Sequence, residues 1–430
     1  MKLLSLFIAC ILCCSNMPIP YFTEVICSTQ SAIDQKYAQF QETSGKQIDA
    51  FIRYSQNAQS DEAYREWSHL CNDFFAFKIQ LGWTYSLATE DSVKKYAEEK
   101  RSALSQSLSE QLKKRSDLAS AFAANAMNAA SLSPLQRYMT RGVLSAYQKT
   151  TSIPSVKINA ALSKLSEYPE ATYDFADKKR AQTPSSSSAL KVFSANIICF
   201  PDQLAYLHGG ISHWRNRLEQ LAQKSKETGA QILCFQEVWD VDAMQALVGH
   251  LQDSYAYFVY NAGNQFASID ADEIGYSSGL FIASQVPLDA IEFTPFIKLH
   301  TAQGGARRGA LLVTFNAQGQ KVSCINTHLQ HGYDATAAEI RKGQVLTCHQ
   351  ILQKASQSGW GFLTGDININ AFSPEFKESG LPTLFSIPYL KGQTEITTPN
   401  STATNYFLDL VMAKPEERSK VVPDMELLDY

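Results

Sequence analysis

From Leu190 onward the chain is built of short apolar runs: VFSANIICF, ILCFQEV, GLFIAS, ALLVTF, VSCINTHL, GFLTGDI and FLDLVM. Each is of strand length, bounded by turn residues and rich in β-branched or aromatic side chains. Between them lie stretches with helical periodicity, notably 213–227 and 335–356. Buried strands mixed with amphipathic helices restrict residues 190–430 to a layered α/β domain, of two or four layers.

The preceding stretch has a different texture. Residues 29–180 contain three glycines, Gly45, Gly82 and Gly142, against 18 from Leu190 onward. Apolar residues recur at helical spacing, as in Leu104, Leu108 and Leu112, and again in Leu118 and Phe122. Ser133-Pro134, followed by Gln136, has the pattern of a helix start: an N-cap, proline at N1 and a capping-box partner at N3. These features predict an all-helical domain over 29–180, whose apolar stripes read as core. Thr183-Pro184, followed by four serines, marks a linker over 181–189.

At the N-terminus, Lys2 precedes an apolar run from Leu3 to Cys14. That pattern predicts a signal peptide within 1–27, cleaved after Ser15 or Cys27, and hence a secreted or exported protein. A lipid anchor on Cys10, Cys13 or Cys14 stays open. The run falls short of the roughly 20 residues that span a bilayer, and no later segment qualifies. Of nine cysteines, Cys71, Cys199, Cys234, Cys324 and Cys348 follow this region. They form no CxxC and no Cys/His metal spacing, so they are expected to be free, buried thiols.

Charge divides along the same boundary. Residues 190–430 carry 17 Lys+Arg and 24 Asp+Glu, whereas 1–189 carry 21 and 18. An acidic α/β half is a poor match to a polyanion held along many phosphates, which disfavours nucleic acid as the partner.

Four of the apolar runs end in polar residues: Ser194-Ala195-Asn196, Gln236-Glu237, Asn326-Thr327-His328 and Gly365-Asp366-Ile367-Asn368. A fifth run places Asp409 within Leu408–Val411. Carboxylates at strand ends are costly to desolvate unless paired or bound to metal. Several converging acids make a hard oxygen site suited to Mg²⁺ or Mn²⁺, and nearby histidine and amide groups supply donors for a phosphate. Metal, phosphate clamp and proton shuttle are the parts needed for attack of water on a phosphodiester.

In this order the motifs Asn…Gln-Glu…Thr-His…Gly-Asp-x-Asn resemble the endonuclease/exonuclease/phosphatase superfamily, and within it the bacterial neutral sphingomyelinases. The likeness covers about 190–430 and includes LKVFSANI, ILCFQEVWD, GYSSGLFIASQVPL, ARRGALLV, NTHLQ, TGDININ and FLDLVMAK. It implies a four-layer fold of two β-sheets packed face to face with helices outside. It implies Glu237 as the main metal ligand, with Asn196 beside metal and phosphate. Asp366 and Asn368 would position water and phosphate, with Asp366 also near the metal. His328 would contact the scissile phosphate, and Asp409 would orient a general-base histidine.

Two departures qualify the resemblance. The family's terminal Ser-Asp-His is not matched before Tyr430, and no histidine follows His349. A general base contributes roughly 10²–10⁴-fold to rate, so its loss predicts impaired hydrolysis. His331 is the substitute considered, although its place after a strand predicts a surface loop. Val241 stands where the bacterial branch has an asparagine for a second metal. Arg308-Gly309, by contrast, matches a Lys-Gly of the family, and a solvated charge is the alternative reading. Val238-Trp239 after the metal glutamate fits the sphingomyelinase relatives better than the abasic-site nucleases. The expectation is therefore a Mg-dependent hydrolase of a phospholipid or other phosphodiester, with peripheral membrane contact left open: no clear exposed aromatic hairpin for insertion is visible, although Trp214, Tyr255 and Tyr257 are available. The alternatives are an inactive secreted binding protein of the same fold and a secreted nuclease.

Overall fold

The computed structural model describes residues 29–55, 90–114, 116–132, 155–166, 172–175, 190–201, 212–263, 277–297, 307–317, 319–332, 334–357, 359–370, 373–385 and 412–413, with isolated helical positions between 66 and 81 and between 137 and 148. The expected signal peptide, the linker, Cys71, the helix start at Ser133 and Asp409 lie outside these residues. The chain divides into two compact units, one drawn from 1–168, 201–210 and 265–276 and one from 169–200, 211–264 and 277–430.

In the first unit the described helices are α1 (Gln30–Ser55), α2 (Asp91–Lys113), α3 (Ser116–Met127) and α4 (Ser155–Ser166). Leu118 and Phe122, one helical turn apart, are both buried, and the Phe122 ring stacks on Phe51 of α1 at 5.9 Å. The same turn spacing buries Ile158, Ala161 and Leu165 on α4, which packs against α3.

The second unit holds β1 (Thr172–Phe175), β2 (Val192–Cys199), α5 (Trp214–Glu227), β3 (Ile232–Val238), α6 (Val241–Leu251), β4 (Tyr257–Tyr260), β5 (Phe281–Ser284), β6 (Leu288–Pro295), β7 (Gly309–Ala317), β8 (Gln320–His328), α7 (Ala335–Ala355), β9 (Trp360–Asp366), α8 (Pro374–Glu378), α9 (Leu381–Leu384) and β10 (Met412–Ala413). The strands form two five-stranded sheets, in the orders β1-β4-β5-β3-β2 and β10-β9-β8-β7-β6. Thr172–Phe175 falls inside the stretch expected to be helical, yet it pairs with Tyr257–Tyr260 as an edge strand.

Period-two alternation explains how the layers stack. On β7, Leu311, Val313 and Phe315 face the other sheet and pack with Cys234, Ile282 and Val259. Ala310 and Leu312 face outward against Val345, Cys348 and Leu352 of α7. With both faces covered, the strand reads as a continuous apolar run rather than an alternating one. Helices α5 and α6 cover the outer face of the first sheet, along β2 and β3. The result is the four-layer arrangement expected, with the main core between the sheets.

Parallel pairing occurs twice, between β2 and β3 across α5 and between β8 and β9 across α7. Each pair therefore ends on the same side of its sheet, so that Asn196 and His328 lie in register with Gln236 and Asp366. Caps set where the following helices start. Asp240 accepts from Asp242 N at 2.6 Å and Ala243 N at 3.2 Å, and Asp334 accepts from Ala337 N at 2.9 Å.

The four described cysteines are free and buried, as expected. Two of the expected membrane-contact aromatics are not available. Trp214 and Tyr255 are buried, and Tyr255 donates its hydroxyl to Ala230 O at 2.8 Å. Both are spent on packing the helix layer onto the first sheet, while Tyr257 is half-buried in β4.

Candidate active site

Irregular backbone at the strand ends turns polar side chains inward. On β2 the register slips between Asn196 and Cys199, and Ile198 is driven to φ +46°. A β-branched residue there is strained, and two contacts hold it. Ile198 N donates to Asn196 Oδ1 at 3.3 Å, and the Arg217 guanidinium donates to Ile198 O. Glu237, near the end of β3, also has positive φ, +58°, a conformation costing roughly 1–2 kcal/mol for a residue with a Cβ. On β9 a glycine is required at 365: φ is +125°, and a Cβ would collide with the Thr327 carbonyl. Asn368 follows at φ +53°, closing an Asx turn in which its N–H donates to Asp366 Oδ1 at 3.0 Å.

These bends bring five of the six expected residues together. Asn196 Nδ2 donates to Asp366 Oδ2 at 2.8 Å, and the same side chain hydrogen-bonds Glu237. His328 Nε2 lies 3.4 Å from Asp366 Oδ2 and 3.8 Å from Glu237 Oε1. Asn368 Nδ2 donates to Leu329 O at 3.2 Å, fixing the turn that follows β8. Asn196 is thus the hub of the two acids, with its own oxygen engaged by Ile198 N–H. The Asx turn, a local structural motif at many strand ends, uses one oxygen of Asp366, while the other faces the cluster.

Burial and repulsion dominate the electrostatics. Desolvation, then the charge of Asp366, pushes Glu237 up to about 7. Desolvation pushes Asp366 up to about 6, opposed by the Asn196 amide and the Asn368 N–H. His328 is held well below the usual histidine range by burial and by the Arg308 guanidinium, so it is neutral at pH 7. Two acids that resist ionisation side by side lack positive charge. Among the described residues no three His, Cys, Asp or Glu side chains form a closed metal cage. Mg²⁺ does not need one, since it is usually bound through one or two carboxylates and keeps several waters. Glu237 and Asp366 fit that donor set.

Three supporting features were left open or unread in the sequence. Arg308 is not a solvated charge. It is 6% exposed and donates to the carbonyls of His328 at 3.1 Å and Leu329 at 2.7 Å. Its signal was positional: it precedes a strand that pairs antiparallel with the one ending in Thr-His. Gln236 and Asn326, noted only as motif neighbours, bridge the sheets beneath the site. Gln236 Nε2 donates to Asn326 Oδ1 at 2.7 Å, and Asn326 Nδ2 donates to Phe235 O at 3.0 Å. Arg341, almost fully buried, holds the loop after β8 through Gln330 O at 2.8 Å and Gly332 O at 2.6 Å, and pairs with Glu375 at 2.6 Å. His331, expected at the surface, is half-buried in this loop and pushed down to about 4 by burial, Arg308 and Arg341.

Comparison with known proteins gives the same relationship. A phospholipase C of Staphylococcus aureus is 22% identical over 216 residues, covering 46% of this chain and 63% of the relative. This chain therefore spans less than two thirds of that relative's length. A sphingomyelinase C 2 of Leptospira interrogans is 25% identical over 155 residues, covering 34% of this chain and 24% of the relative. Among solved structures, a mutant beta toxin from Staphylococcus aureus with bound magnesium ions aligns at 19% identity, covering 53% of this chain and 85% of that one, with a TM-score of 0.45. The pattern of the endonuclease/exonuclease/phosphatase family matches residues 207–424, just over half of the sequence, and the chain belongs to that family.

Proposed function

We propose that this protein is a magnesium-dependent phosphodiesterase that cleaves the headgroup of a phospholipid, in the manner of a sphingomyelinase. The observation that carries this reading is the convergence of Glu237, Asp366, Asn196 and neutral His328 at the ends of strands from two sheets. Supporting it, both curated relatives described above are named for phospholipid hydrolysis.

Glu237 and Asp366 would hold the metal, which when bound would neutralise charge on the phosphate and polarise it towards water. The chain's own residues do the rest. Asn196 aligns both carboxylates. His328, uncharged, offers a ring nitrogen to a phosphate oxygen without competing with the cation. Asp366, one oxygen tied to the Asn368 N–H, orients the attacking water with the other, while Asn368 keeps the turn closed. We further propose that the protein is exported and acts on a lipid surface. Among the described residues no helix is long and apolar enough to cross a membrane.

Release of phosphocholine from sphingomyelin vesicles tests the proposal. Wild type should require Mg²⁺, and Glu237→Gln should lose at least about 100-fold, the scale of one removed electrostatic stabiliser. Activity that survives EDTA, or is equal in the variant, overturns it.

A further inference from the structure

Two of the buried thiols meet between the sheets. Cys234 on β3 and Cys324 on β8 are both 0% exposed and share one apolar cluster. The Cys324 thiol lies within side-chain hydrogen-bonding reach of Cys234. Register agrees with that contact. Two residues further along the same strands, and hence on the same faces, Gln236 Nε2 donates to Asn326 Oδ1 at 2.7 Å. Some Cα atoms of β3 and β8 come within 8 Å of one another, closer than the roughly 10 Å usual between stacked sheets. A disulfide spans Cα separations up to about 7 Å, so the two strands stand near the distance it needs. Neither thiol has a part in the chemistry proposed above. The Cys234 contact, then burial, raises the Cys324 thiol well above its ordinary value, which leaves it inert while the core is closed.

We infer that Cys234 and Cys324 are a disulfide site, which in its oxidised form staples the two sheets together beneath the candidate active site. The oxidant is a second disulfide, such as oxidised glutathione. One cysteine, as a thiolate, attacks that disulfide; the oxidant's S–S bond breaks, one thiolate leaves and a mixed disulfide forms. The thiolate of the other cysteine attacks the mixed disulfide, expels the second thiolate and closes the Cys234–Cys324 bond. The protein loses two electrons and two protons, and the oxidant leaves as two thiols. A closed core excludes the oxidant, so the exchange takes place on the folding chain or when the sheets part transiently. Like Gln236 and Asn326, the two cysteines are 90 residues apart in the chain, and a bond closing so long a loop constrains the unfolded state strongly. The inference does not rest on the phosphodiesterase reading, and the proposed export would supply the oxidising compartment in which such bonds persist.

The test starts from the full-length reduced protein, incubated with oxidised glutathione in urea below its unfolding midpoint and then returned to buffer. Digestion without reductant should yield the Cys234 and Cys324 peptides joined, lighter by two hydrogens than the separate peptides. The oxidised protein should unfold at least about 5 °C above the reduced form, and dithiothreitol should abolish the rise. Cys324→Ala should give neither the joined peptides nor the rise. Absence of the joined peptides from folded wild type overturns the proposal, as does a bond from Cys234 to another cysteine. So does a joined protein that unfolds no higher than the reduced form, or a rise that survives in Cys324→Ala. The peptide map of wild type decides even if the variant does not fold. Phosphocholine release is measured separately, so a protein that joins the two peptides but releases none keeps this inference and rejects only the lipid-hydrolase reading.

Discussion

At the scale of single residues, the site is defined by charge held where water would normally dilute it. Glu237 ordinarily titrates near 4.5 and here near 7, first because of burial and then because of Asp366. A folded-state value above the unfolded one means that the folded chain binds the proton more tightly. The penalty is absent below the unfolded value, grows between about 4.5 and 7 and is constant above that. Without metal, Glu237→Gln should therefore match wild type near pH 4.5 and exceed its stability at pH 8 by on the order of 2 kcal/mol. Urea denaturation at the two pH values measures the difference, and a pH-independent gap would contradict the assigned cause. His328 contributes with the opposite sign, costing stability as pH falls below its unfolded value.

At the scale of elements, what matters is how tightly the two parallel strands of each pair approach. Gly365 and Gly319 both have positive φ, but only Gly365 faces backbone, the Thr327 carbonyl of β8, while Gly319 has open space around it. Gly319→Ala should cost about 1 kcal/mol, the price of the left-handed conformation alone. Gly365→Ala should cost roughly 3 kcal/mol or more, because β9 must also move off β8. Thermal unfolding of the two variants makes the comparison, and equal losses would show that the close approach is not needed. The Gln236–Asn326 bridge acts at the same scale. It ties β3 to β8 one residue before Glu237 and two before His328, so the separation of Glu237 from the imidazole follows from the spacing of the sheets.

For the molecule as a whole, the proposed cation site would link binding to stability. A ligand that binds only the folded state stabilises it by about 2.7 kcal/mol at 100 times its dissociation constant. Saturating Mg²⁺ should therefore raise the unfolding temperature of wild type above its EDTA value at pH 8. Asp366→Asn should lose most of that rise while keeping its fold. A rise of equal size in the variant would place the bound cation elsewhere.

Much of this was legible in the amino-acid order. Strand-length apolar runs marked the sheets, helical spacing marked α5 and α7, and polar tails on four runs marked five residues that the fold brings together. Those are local signals, since the side-chain period, the caps and a strand end are all written within ten residues. Tertiary structure decided the rest. Nothing near Arg308 reveals that antiparallel pairing buries it under His328, and nothing near Thr172–Phe175 reveals an edge strand. Trp214 and Tyr255 have the same chemistry on a surface or in a core, and only packing distinguishes the two. Which side chains stand 3 Å apart depends on contacts between residues as distant as Asn196 and Asp366, and such contacts exist only once both sheets have closed on a shared core.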